Sequence, residues 1–591
     1  MANKKNKRQG RKRKFNGNRF TVPPTPDVTE KSTTFKKLRI NELDASSICD
    51  SAGECFLFME YLTLKSMFEK FAACKECGSL LSLSINNKNK MGYAHRIDVE
   101  CGKCAFSEYF HTSPQITSLQ SPGRNGFEVN HRLIMAFREI GKGYESLKTF
   151  SSLMNMSSPM TSGNYNKIND KLNNIYKQCA EENMKSAADE VRRKVNPAAD
   201  ADDSVDCQIS IDGTWQKRGY SSLNGVVAAV AHVNKKVIDT AVLSKFCKSC
   251  EIWEHKKADV AAYEEWKANH QCSINHEGSS GAMESSGALE IFNSSLQKYN
   301  LRYAQYLGDG DTGSYNKVVQ AKPYGEDLIP EKLECVGHIQ KRVGSRLRAL
   351  RKSLKGKVLE DGKGIMGAGR LSDKKINTLQ NYFGMAIRQN KGNLLGMRNS
   401  IIAVLHHCTN FQSEDTRHMY CPAGDSTWCK WRLDMAKGTS TYKSKVSLPI
   451  AIYEVIRPIF QDLSKEDLLR KCLHGETQNA NESFNQLIWD RCPKSTFVSK
   501  KIVEIGVSSA VINYNSGMLG LQDIFDKLGF YSGQYFGNAA VQKDTSRLKK
   551  RAKKSEDAVK QRRKKLRSIR KGFIDAERDK EGGECYKAGS F

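Results

Sequence analysis

Between residues 207 and 212, Ile209 and Ile211 alternate with polar neighbours, and the run closes on Asp212, followed at once by Gly-Thr-Trp. Such alternation predicts a half-buried strand, and Gly213 is a natural point to leave it. Two further β-like runs, SSLNGVVAAVAHV and KKVIDTAVLSKF, predict an antiparallel meander of three. The period then becomes helical in SSGAMESSGALEIFNSSLQKY, with Met283, Leu289, Ile291 and Phe292 as the expected buried residues. A fourth apolar run, LRYAQYLGDGD, again ends on acid. A fifth, KLECV, leads into the basic helix GHIQKRVGSRLRALRKSLKG.

Three strands, helix, strand, helix, strand, helix is the order of a ribonuclease-H-like α/β core. Its first and fourth strands are neighbours, which would bring Asp212 and Asp309 to adjacent strand ends. Upstream, LLSLSI and HRIDVE predict a short hairpin between Cys74-x-x-Cys77 and Cys101-x-x-Cys104. From about 127 to 195 the pattern is helical: NHRLIMAFREI places Leu133, Ile134, Phe137 and Ile140 at helical spacing, and Gly141 and Gly143 end it. YESLKTFSSLMN and MSSPMTSGNYNKINDKLNNIYKQ read as helix, short turn, helix, with Ser157, Ser158, Thr161 and Ser162 as N-cap candidates. This is either a DNA-docking helix-turn-helix or a plain helical linker bundle.

Composition changes the picture in two ways. The chain has 591 residues, enough for several domains, and a formal net charge of +29. A surface so positive favours polyanions, with nucleic acid ahead of an acidic membrane. No apolar run approaches a membrane span, and MANKKNKRQGRKRKFNGNRF has no signal-peptide core. Its cluster Lys4, Lys5, Lys7, Arg8, Arg11, Lys12, Arg13 and Lys14 suits nuclear import or a phosphate-gripping arm, so a nuclear location is expected. The basic run at 547–572 repeats the theme. With secretion disfavoured, the eighteen cysteines call for zinc rather than disulfides.

Two carboxylates at neighbouring strand ends repel unless a cation sits between them. Hard oxygen ligands suit Mg²⁺ or Mn²⁺, and a pair of such ions supports phosphodiester chemistry. CLHGETQNANESFNQLIWDRC offers a third acid on a helix marked by Phe484, Leu487 and Ile488. Glu482 lies in its first turn, with Asn485 one turn on to orient it, whereas Glu476 falls outside and Asp490 two turns further.

SIDGTW, YLGDGDTGSY, ECVGH and QNANESFN resemble the Mutator-like transposase domain, among eukaryotic cut-and-paste DDE transposases that include Kolobok-type elements. The resemblance covers roughly residues 205–520. It implies that Asp212, Asp309 and Glu482 hold metal and carry catalysis, with Asp311 as the alternative to Asp309. Cys335 and His338 match a Cys-x-x-His signature and are either close to the site or a buried structural pair. The implied activity is cutting and joining of DNA strands at transposon ends, on double-stranded DNA ends and target, by a homodimer or larger assembly. The alternative is a domesticated, non-catalytic zinc-containing DNA-binding protein.

Three Cys/His groups complete the reading. Cys74, Cys77, Cys101 and Cys104 fit a four-thiolate zinc ribbon. Cys247, Cys250 and Cys272 with His276 suit a second zinc, His270 competing for the last place. Cys421, Cys429, Cys472 and His474 form a possible third, the alternative being buried unliganded residues. The expected layout is a basic disordered arm and linker (1–60), zinc ribbon (61–120), helical module (121–200) and first part of the core (205–345) with a zinc-binding insertion (247–276). A helical insertion (346–470), the end of the core (471–520) and a basic tail (521–591) follow.

Overall fold

The computed structural model describes residues 56–556 except 117–125, 158, 201, 218–220, 311, 424–426, 440 and 443–446, together with Arg562, Leu566 and Ile569. The basic N-terminal arm, most of the basic run beyond 556, Ser158 and Asp311 therefore lie outside the described residues. The alternating segments near the N-terminus form an antiparallel sheet of β1 (Leu81–Met91), β2 (Ala94–Cys101) and β3 (Ser107–His111), in that order. Leu81, Leu83, Ala94, Ile97 and Val99 are buried in it. The third strand adds to the expected hairpin. Four of the five residues of SEYFH are exposed, so no apolar alternation announces it.

The second sheet contains β4 (Val205–Trp215), β5 (Asn224–Ala231), β6 (Val237–Ser244), β7 (Leu301–Gly308) and β8 (Glu331–Glu334). Their order is β6-β5-β4-β7-β8. The first three strands form the expected antiparallel meander, while β7 and β8 run parallel to β4 and to β7 respectively. Strand β5 is buried throughout. Its Val226, Ala228 and Val230 join a core shared with the helices Ser162–Val195 and Lys500–Ser516, and Val227, Ala229 and Ala231 face the helix Ala282–Tyr299. Gly287 permits that second approach: a Cβ there would lie 2.5 Å from Val227 Cγ2. Met283, Ile291 and Phe292 are buried as the sequence predicts, but Ala288 rather than Leu289 completes the stripe.

The two upstream helices are Tyr144–Leu153 and Ser162–Val195, with Thr161 as N-cap accepting from the Asn164 amide. The second runs 34 residues, burying Leu172, Tyr176, Ala188 and Val191, so the segment expected as a module at 121–200 is part of the main core. The segment expected as a tail from 521 also packs: Ile524, Phe525, Leu528 and Phe530 close the same core, and a further helix follows at Gln534–Ser555. The basic run lies further on, at 547–572, and these apolar anchors precede it. Residues 346–470 are mostly helical with their own core, centred on Phe383, Ile401, Ile456 and Leu469 and completed by the helix Val336–Ser353. Among the described residues no helix is long and apolar enough to cross a membrane.

Candidate metal and nucleic-acid site

Register places the first two acids. Ser210 pairs with Leu307 across the parallel β4–β7 ladder, so Asp212 and Asp309 each stand two residues beyond that pair. The third is placed by the helix Asn479–Arg491, which the motif QNANESFN pins across the sheet. Buried Asn481 donates to the carbonyls of Ser210 and Ala228, both at 3.0 Å, and Gln478 donates to that of Ile211 at 2.7 Å. One turn on, Asn485 Nδ2 donates to Asp212 Oδ2 at 2.8 Å, and Trp489 Nε1 reaches Thr214 Oγ1 at 2.8 Å. Four side chains on one helical face thus fix its register against β4. Glu482 is left exposed beside Asp212. Glu476 lies outside the helix, paired with Lys235 at 3.3 Å and Lys391 at 3.2 Å.

The helix Val336–Ser353 brings cations to the same edge. His338 Nδ1 lies 3.3 Å from Asp309 Oδ1, and Lys341 Nζ 3.5 Å from Glu482 Oε1. Lys332 donates to the Asp309 carbonyl at 2.8 Å. Gly310 leaves space for Arg342, whose guanidinium a Cβ at that position would strike. Cys335 is buried beneath, accepting from the Gln478 amide at 3.4 Å. Against its burial, the hydrogen bond with His338 and that amide hold the Cys335 thiol below its usual value, and the same contact raises His338.

Burial pushes Asp212 up to about 6; His338 opposes the rise, while the negative charges of Glu482 and Asp309 add to it. The three carboxylates do not all close to within 4.8 Å of one another. Their chemistry nonetheless fits a hard divalent cation: oxygen donors from three elements, one of them partly desolvated and raised by the other two.

Three Cys/His groups, by contrast, have ligand atoms mutually within 4.8 Å and could hold zinc. Two thiolates on one tetrahedral zinc stand roughly 3.8 Å apart. In the first group Cys74 and Cys104, and Cys77 and Cys101, are 3.5 Å apart, and the Lys103 amide donates to Cys101. The second gathers Cys247, Cys250 and Cys272 around His270, whose Nε2 is 3.4 and 3.3 Å from the first two sulfurs. His276 does not join: buried, it meets the Ser279 carbonyl at 3.1 Å. His270 is carried to the sulfurs at the end of the helix Val260–Asn269, its ring stacked on Trp266.

The third group is His407, His418, Cys421 and Cys429. Glu414 contacts the far nitrogen of His418 at 3.0 Å, the usual orienting contact for a ligating histidine. Cys472 and His474 lie elsewhere. Cys472 packs into the apolar core of the helical insertion, and His474 bonds the Glu334 and Lys471 carbonyls. His418 stands three residues before Cys421, a spacing visible in the sequence; His407 carried no such signal.

A family model described as Mutator-like transposase matches residues 55–429, more than half of the chain, which therefore belongs to that family. The match takes in all three Cys/His groups, Asp212, Asp309, Cys335 and His338, and stops before Glu482. No curated protein matches the chain.

Proposed function

We propose, from membership of the Mutator-like transposase family, that this chain is a DDE-type transposase that cuts and joins DNA strands at transposon ends. The observation that supports the reading is the edge at β4 and β7, where Asp212 and Asp309 each stand two residues beyond the Ser210–Leu307 pair and the charges of Glu482 and Asp309 both act on Asp212. The strand order β6-β5-β4-β7-β8, with its antiparallel half and parallel half, supports a ribonuclease-H-like core.

Asp212, Asp309 and Glu482 would hold Mg²⁺ or Mn²⁺, which when bound supplies an activated oxygen nucleophile and stabilises the leaving oxygen. Asn485 orients the Asp212 carboxylate by a hydrogen bond, and His338, when protonated, would pair with Asp309. Lys341 and Arg342 keep positive charge at the acids' rim, suited to a DNA phosphate arriving there. The three Cys/His groups would hold zinc as structural ties, the first in the N-terminal sheet and the others in the two insertions. The nucleus is the matching location, and paired processing of two ends favours a dimer or larger assembly.

The test is nicking of labelled duplexes from the DNA flanking the gene, with Mg²⁺ or Mn²⁺. Wild type should nick, and Asp212→Ala and Glu482→Ala should bind equally but not cut. Cutting that survives both substitutions overturns the assignment.

A further inference from the structure

Lys332 on β8 is a buried cation at the acids' edge, only 5% exposed. Across the parallel β7–β8 ladder Lys332 stands beside Tyr306, and Glu334 beside Gly308, so the four share one face of the sheet. Tyr306 packs on that face with Ile291 and Phe292 of the helix Ala282–Tyr299. The helix bearing Glu482 covers the other face, through Phe484 and Ile488. Lys332 therefore approaches Asp309 from beneath, and it meets the main chain. Its Nζ donates to the Asp309 carbonyl at 2.8 Å and lies 4.6 Å from the centre of the Tyr306 ring. Glycine at 308 makes the room: a Cβ there would fall 2.7 Å from the Lys332 Nζ and 2.4 Å from Tyr306 Cε1. Gly310, on the far side of Asp309, gives its space to Arg342, which pairs with buried Glu334 at 3.5 Å. Each glycine flanking Asp309 is thus filled by a cation from another element.

We infer that Lys332 is a positioning residue for Asp309, holding its carbonyl and so fixing the turn from which its carboxylate is presented. A buried ammonium gives up hydration, which the carbonyl and the ring face restore here. An apolar side chain of similar length would fill the same space with less desolvation, so packing alone does not call for lysine. The inference rests on the proposed metal centre, and the sign of one measurement separates positioning from mere proximity. A nearby positive charge repels a divalent cation, so removing a bystander lysine should strengthen metal binding. Removing a group that sets a ligand's direction should weaken it, by roughly 10–100-fold for contacts of this kind.

The experiment uses the full chain and Mn²⁺, with the free ion counted by its electron paramagnetic resonance signal. Wild type sets the affinity, and a chain carrying both Asp212→Ala and Asp309→Ala sets the background. Lys332→Met should bind Mn²⁺ about tenfold more weakly than wild type, with DNA affinity unchanged. Gly308→Ala keeps the charge but displaces the ammonium; it should weaken Mn²⁺ binding in the same direction, and it serves as the second variant if the first does not fold. Nicking should follow: Lys332→Met should need about tenfold more Mn²⁺ for half its maximal rate, with a much smaller loss at saturating metal. Lys332→Met binding Mn²⁺ as tightly as wild type, or more tightly, overturns the inference, as does Gly308→Ala at wild-type affinity. Wild type binding no Mn²⁺ above the background overturns the proposed centre itself, and this inference with it.

Discussion

Asp212→Asn removes a charge that the fold holds at a disadvantage. Burial and the two neighbouring acids raise this carboxyl from an ordinary value near 3.8 to about 6. The sign follows directly. A carboxyl whose folded value lies above its unfolded one contributes stability that is fully present below the unfolded value and is lost as pH rises through the folded value. The window is therefore about pH 4 to 6, with the penalty complete above it. Two units correspond to at most about 3 kcal/mol, and relaxation and water entry reduce this to roughly 1–2 kcal/mol. Asparagine keeps an oxygen that Asn485 can donate to, so the substitution removes charge with little change of shape. Urea unfolding without added Mg²⁺, and without chelator so that the Cys/His groups are undisturbed, should find Asp212→Asn equal to wild type at pH 4 and more stable at pH 7.5. Adding Mg²⁺ should stabilise wild type and leave the variant unmoved. A stability difference that does not vary with pH would refute the reasoning, because the burial penalty would then not be electrostatic.

Other substitutions separate the remaining contacts. Asn481→Ala should destabilise by about 2–4 kcal/mol in urea melts, because two buried carbonyls, Ser210 and Ala228, lose their donor. Asn485→Ala should keep the fold but lower nicking roughly 10–100-fold, with part of the loss recovered at higher metal concentration. His270→Ala should lower zinc content by about one equivalent, measured by elemental analysis, while His276→Ala should retain it. For the third group, His407→Ala should release zinc and Cys472→Ala should not.

Much of this was legible in the chain. The alternation before Asp212, the acid after LRYAQYLG and the order of the elements led to two aspartates on neighbouring strands, each two residues beyond the Ser210–Leu307 pair; β4 does not end at Asp212, however, but continues past Gly213 to Trp215, paired with β5 throughout. Glu482 was separable from Glu476 because helical period puts only Glu482 on the Asn481–Asn485 turn, and the structure ties Glu476 to lysines elsewhere. The histidines of the Cys/His groups were less legible. Spacing allowed either His270 or His276 beside the cysteines, and the choice depends on where the helix Val260–Asn269 ends, which an almost evenly mixed sequence does not announce. His407 ends the helix Leu394–His407, 14 residues before Cys421, and joins the group through the packing of successive helices rather than through a recognisable ligand spacing. Cys472, far beyond Cys429 in the chain, is instead an apolar core residue. The boundary at 521 takes its character from the basic run at 547–572, whereas LQDIFDKLGF at its start carries Ile524, Phe525, Leu528 and Phe530, which decide where the chain packs.

The central claim is that Asp212, Asp309 and Glu482 form one metal-dependent phosphodiester centre. The measurement that tests it most directly is strand joining of pre-cut, labelled element ends into a plasmid target, with Asp212→Ala, Asp309→Ala and Glu482→Ala compared with wild type in Mg²⁺ and Mn²⁺. The account predicts joined products from wild type only, with DNA affinity equal in all four proteins. Equal binding with no joining by wild type in either metal would contradict it and leave a zinc-containing DNA-binding protein in its place.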